Sequence, residues 1–141
     1  MSSLRSYKPS DYPQVIALYK QSDLFGGQFD ENRDSEEKLN QIIAKDPESI
    51  LVYESEGKIT GTVSLIEDGR VAWLFRFAVT KDEHEQEITK TLSDRALEIL
   101  HDRGHAQVLV YAPVDMRGFE DRYASLGFEK GGDYTCYWKD I

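Results

Sequence analysis

Cysteine is nearly missing from this chain. The single one, Cys136, closes no internal disulfide and rules out a metal cage built from several thiolates. Its neighbours Tyr134, Thr135, Tyr137 and Trp138 are strand-forming types, so a strand near Tyr134 to Lys139 with a buried or half-buried thiol is expected. Long apolar runs are absent too. No stretch approaches the roughly 20 apolar residues of a membrane-spanning helix. The start MSSLRSYKPS carries no signal-like apolar segment. The expectation is a cytoplasmic protein with no membrane partner.

Basic charge is in deficit, with 17 Lys and Arg against 26 Asp and Glu and a net charge of −9. Such a surface repels phosphate backbones, and no basic cluster interrupts it, which excludes nucleic acid as a partner and favours cationic ones. The three histidines lack metal-ligand spacing. His101 and His105 are four apart but straddle a helix stop at Gly104, and both read as surface residues, so no metal site is expected.

What is present is an alternation of short apolar runs with helical patterns over 141 residues, which predicts one domain, 1–141, of mixed α/β or α+β class. A strand over Ser3–Tyr7 precedes a helix with Val15, Ile16, Leu18 and Tyr19 on one face. Ser35 caps a second helix, with Leu39, Ile42 and Ile43 turned inward and a stop at Asp46-Pro47. The turns Glu56-Gly57-Lys58 and Asp68-Gly69 divide the next stretch into an antiparallel meander ending in Trp73–Val79. A helix with Ile88, Leu92, Ala96, Ile99 and Leu100 inward ends at Arg103-Gly104. The apolar run QVLVYAP after it predicts a strand parallel to Trp73–Val79, because a helix separates the two. A short helix around Arg117 to Leu126 follows.

Three segments, YESEGKITGTVSL, FRFAVTKDEHEQEITKTL and RYASLGFEK, stand in an order that resembles the GNAT superfamily of acetyl-CoA-dependent N-acetyltransferases. The resemblance covers essentially the whole chain. It implies a central, mostly antiparallel sheet with one splayed parallel strand pair, flanked by about four helices. It further implies acetyl-CoA as co-substrate, its pantetheine arm along Phe77, Ala78 and Val79 and its pyrophosphate at the following helix start, on His84, Gln86, Glu87, Ile88 and Thr89. Tyr123 takes the place of the acid that protonates the departing thiolate. Phe25, Phe29 and Asp30, in the loop Asp23 to Glu37, fall where an acceptor amine binds, with Glu31 and Asp34 as further carboxylates. The partner implied is a small-molecule or peptide amine, and a homodimer is compatible with it.

The chain departs from the family pattern at that helix start. The family reads Arg or Gln, two residues, Gly, one residue, then Gly or Ala. Here His84 replaces the arginine, Glu87 the first glycine and Thr89 the second small residue. A carboxylate about 5 Å from a phosphate charge repels it by roughly 3 kcal/mol at an effective dielectric of about 20. That is about a hundredfold in affinity. Thr80-Lys81-Asp82-Glu83 also fits a capping box, which would start the helix at Lys81 and absorb the loop. Met116 stands where the family often has an asparagine, and Val71–Val79 holds no carboxylate to act as base. Two functions therefore stand side by side: an N-acetyltransferase, and a non-catalytic module of the same fold that has lost efficient acetyl-CoA binding.

Overall fold

The computed structural model describes residues 1–21, 29–112 and 117–141. In the larger of two compact units, Met1–Tyr111, short turns build the sheet. Strand β1 (Ser2–Ser6) pairs antiparallel with β2 (Ile50–Ser55), β2 with β3 (Lys58–Glu67), and β3 with β4 (Ala72–Val79), in the order β1-β2-β3-β4. Glu56 and Gly57, at φ 52° and 76°, form the two-residue turn between β2 and β3. Positive φ at both positions gives the backbone twist that a tight hairpin needs. Thr62, fully buried in β3, donates its hydroxyl to the Leu51 carbonyl at 2.8 Å.

Helix α1 (Tyr12–Gln21) presents Val15, Ile16, Leu18 and Tyr19 to one face of the sheet, where Ile50, Val52, Ile59 and Ala78 meet them. After the short α2 (Glu31–Asp34), Ser35 caps α3 (Glu36–Lys45) by accepting the Lys38 N–H. Leu39 is buried and Ile43 leans on the same cluster, but Ile42 is 40% exposed, against expectation. Only the i, i+4 line of Leu39 and Ile43 meets the core.

Helix α4 (Glu85–Asp102) covers the other face. Ile88, Leu92, Ala96, Ile99 and Leu100 are all buried, as their spacing predicts. It lies so close to β3 that a Cβ on Gly61 would come within 2.8 Å of both Ile88 Cγ2 and Leu92 Cδ1. Gly61→Ala is therefore expected to destabilise the fold by about 1–3 kcal/mol through overpacking. A lower urea midpoint at unchanged slope would show it, and an unchanged midpoint would mean the helix shifts freely.

The C-terminus of α4 is closed by Gly104, at φ 94°, whose N–H bonds the His101 carbonyl while the His105 N–H reaches Leu100. This double bond pattern is the Schellman stop. Arg103 next to it binds Asp46 through Nη1 at 2.7 Å and Nη2 at 3.0 Å, Glu67 at 3.1 Å and Glu48 at 3.5 Å. Its guanidinium holds the Asp46 and Glu67 carboxyls below their usual range. His105 is buried rather than on the surface, with Nε2 3.3 Å from Glu67. Of the strand expected over QVLVYAP, the described residues form one parallel bridge, Trp73 to Leu109, with Leu74 N–H bonded to the Leu109 carbonyl at 3.0 Å. A bulge at Arg76–Phe77 interrupts the β3–β4 ladder just beyond, and pairing with β3 resumes at Ala78.

The smaller unit, Ala112–Ile141, holds α5 (Arg117–Ser125). The strand expected near Tyr134 to Lys139 is not formed, Cys136 is exposed, and Tyr137 is 90% exposed. Strand-forming side chains favour a ladder only where a neighbouring strand packs against them, and among the described residues none pairs here.

Candidate active site

The junction of β4 and α4 brings together most of the residues singled out for cofactor binding. Phe77, Ala78 and Val79 are buried at the end of β4. Val79 pairs with Gly61 and Ala78 with Thr62, so one edge of β4 is taken by β3. Along the other edge, the Trp73–Leu109 bridge is the last pairing among the described residues, and no described strand pairs with Phe77–Val79 there. Backbone donors and acceptors on a strand edge are suited to an extended ligand chain.

The helix does not begin at Lys81. The Asp82 carboxylate accepts the His84 N–H at 2.8 Å and the Asp82 carbonyl accepts the Glu85 N–H at 3.2 Å, a local turn that holds back the helix start. Thr80 gives its own N–H to the Thr60 carbonyl, continuing the sheet rather than capping the helix. The loop is thus not absorbed. His84 takes the N-cap position without a side-chain cap bond.

Within the first turns of α4, Gln86 and Glu87 are exposed, while Ile88 and Thr89 are buried. Exposure lets the Glu87 carboxylate turn to water, where its repulsion of an anion is screened. The hydroxyls of Thr89 and of Ser93, one turn on, are buried with no hydrogen-bond partner among the described residues. An orphaned donor near the N-terminus of an 18-residue helix suits an anion, since the helix dipole favours negative charge there. These residues fit the phosphates of a coenzyme A.

On the acceptor side, Phe25 lies outside the described residues. Phe29 is half-buried against the α1 core, with the Lys20 ammonium 4.8 Å from its ring centre. Asp30 caps α2 by accepting the Asn32 N–H at 2.8 Å. Asp34 faces inward, 2% exposed, and is therefore no surface carboxylate for an ammonium. It grips Arg76, which sequence reasoning passed over: Nε to Oδ1 is 3.0 Å and Nη2 to Oδ2 is 2.8 Å. The signal for Arg76 was a lone charge in the middle of WLFRFAV.

Tyr123 sits in the smaller unit, 6% exposed, on α5. Its spacing from Gly127 and Phe128 has a physical cause. Gly127, at φ 91°, ends the helix: Phe128 N–H bonds the Tyr123 carbonyl at 2.9 Å, and Gly127 N–H bonds Ala124. The Tyr123 and Phe128 rings then meet edge to face at 5.7 Å, the apolar contact that accompanies this stop. Burial pushes the phenol well above its ordinary value, so it stays protonated at neutral pH.

A family model for the acetyltransferase (GNAT) domain matches residues 15–137. The chain belongs to that family. Among relatives of this GNAT protein, Acetyltransferase YE1169 of Yersinia enterocolitica is 29% identical over 126 residues, covering 89% of this chain and 86% of that protein. In structure it is similar to Ard1 from Thermoplasma volcanium, with a TM-score of 0.76, 18% identity and coverage of 93% and 84% of the two chains. The paia N-acetyltransferase from Thermoplasma acidophilum, solved in complex with coenzyme A, matches with a TM-score of 0.71 at 20% identity, covering 89% and 88%. At such identities the solved structures show the fold: a mixed α/β domain around an antiparallel four-stranded sheet.

Proposed function

We propose that this GNAT acetyltransferase moves an acetyl group from acetyl-CoA to the primary amine of a small cationic acceptor or peptide. The observation that carries the reading is the β4–α4 junction, a strand edge with which no described strand pairs, leading to a helix start where the buried Thr89 hydroxyl has no hydrogen-bond partner among the described residues. The backbone of Phe77 to Val79 would pair with the pantetheine arm, and the start of α4, from His84 to Thr89, would hold the pyrophosphate. Acetyl-CoA supplies an activated acyl carbon. The amine, after losing one proton to water, would attack that carbon; as the C–S bond breaks, the nitrogen would lose its second proton to water. Tyr123, the acid that the family resemblance implies, would give its phenol proton to the sulfur and regain one from solvent. Phe29 and Asp30 would border the acceptor, whose positive charge the net charge of −9 favours. The whole chain, 1–141, would act as one domain.

A second reading, a binding module without catalysis, is favoured by Glu85 and Glu87 in the first turn of α4. Calorimetric titration with acetyl-CoA at low salt separates the two. Saturable one-to-one binding is the expected result; no binding up to millimolar ligand would overturn the transferase reading. Glu87→Gly should tighten binding severalfold, well short of the hundredfold that an immobile carboxylate implies, because the side chain is exposed. Unchanged or weaker binding would remove the charge argument.

A further inference from the structure

Arg76 combines three properties that the acetyl-transfer reading leaves unused. It is 4% exposed inside a sheet, its φ of 50° is one that L side chains seldom adopt, and it occupies the bulge of β4 one residue before Phe77. Its guanidinium lies 4.7 Å from the Phe75 ring and 5.8 Å from that of Tyr19, and its fork closes on both oxygens of Asp34.

Asp34 is itself a junction. Its Oδ2 also accepts the Asp30 N–H at 2.9 Å, and its carbonyl accepts the Tyr12 hydroxyl at 2.8 Å. One carboxylate therefore fixes the entry of α2 to the bulge of β4, over 42 residues of chain.

We propose that the Arg76–Asp34 pair positions the acceptor by locking the segment from Phe29 to Asp34 onto the bulge of β4, beside the strand that would hold the acyl donor. The inference rests on the transferase reading. Stability alone does not account for the pair, because two apolar residues of similar volume commonly hold a core as well as a buried ion pair does. What they do not reproduce is direction: a bidentate fork sets both distance and angle. Tyr19 and Asp34 reach Arg76 from the α1 side of the sheet, whereas α4 lies on the other face. The pair should therefore govern the acceptor and leave acetyl-CoA nearly untouched.

The test is the double variant Arg76→Met/Asp34→Leu, with Arg76→Lys as a companion that keeps the charge and loses the fork. Acetyl transfer is followed with spermidine and with an Ala-Arg-Phe tripeptide as acceptors, and acetyl-CoA affinity by calorimetry. Expected for the double variant are a retained fold by circular dichroism, acetyl-CoA Kd within twofold of wild type, and an acceptor KM raised at least tenfold. Arg76→Lys should fall between the two, and it carries the test if the double variant does not fold. Wild-type acceptor KM in the variants overturns the proposal alone, as does a loss of acetyl-CoA affinity matching the loss of acceptor affinity. Wild-type protein that binds acetyl-CoA but acetylates neither acceptor overturns the transferase reading, and this inference with it.

Discussion

Tyr123→Phe is expected to lower kcat about a hundredfold or more, the usual contribution of a positioned proton donor. Acetyl-CoA affinity should be unchanged, because the substitution removes one hydroxyl and keeps the ring. The edge-to-face contact with Phe128 and the helix stop at Gly127 do not involve that hydroxyl, so α5 should persist. The phenol is pushed upward by burial. Wild-type kcat should accordingly show no loss from Tyr123 ionisation up to about pH 10, the ordinary tyrosine value. Unaltered kcat in the variant would dismiss Tyr123 as the acid and leave it the role of a capping ring.

The second large effect concerns stability. Arg76→Ala leaves the Asp34 carboxylate inside the protein without its bidentate partner, with Oδ2 still held by the Asp30 N–H. Breaking one side of a buried pair costs about 3–5 kcal/mol. For a chain of this length that corresponds to a fall in Tm of roughly 10 °C or more. The single truncation should thus be far more harmful than removing both charges, an ordering that a thermal melt of the three proteins reads directly. Equal losses in the single and double variants would mean that ring packing around the guanidinium, not charge, holds this part of the core.

Local signals were legible where the physics is local. Glu56-Gly57 marks a turn because two consecutive residues need positive φ, and Gly104 marks a helix end for the same reason at one position. Periodicity and turn signals likewise placed β1 to β4 and α1, α3, α4 and α5 in their order, though not α2, and they added two later strands that the described residues do not form. The start of α4 had two readings in the sequence because two short-range patterns compete over the same residues. Thr80 to Glu83 spells a capping box, but Asp82 closes its own turn and Thr80 stays tied to β3.

What was missed depends on distant partners. Arg76 meets a carboxylate 42 residues away, and His105 is buried beside Glu67 of another element. The apolar neighbours of Arg76 mark a charge held inside, but nothing within a few residues of either position names its partner. The segment around Tyr137 shows the converse: its composition is that of a strand, yet its side chains are exposed, because propensity without a neighbouring strand makes no ladder.

The ion cluster at Arg103 has a kinetic consequence. Its carboxylates come from 57, 55 and 36 residues earlier in the chain. Contacts of such separation are expected to form late, since each must close a long loop first. They contribute little to the folding barrier and must be broken on the way out. Arg103→Ala is therefore expected to speed unfolding while leaving the speed of folding nearly unchanged.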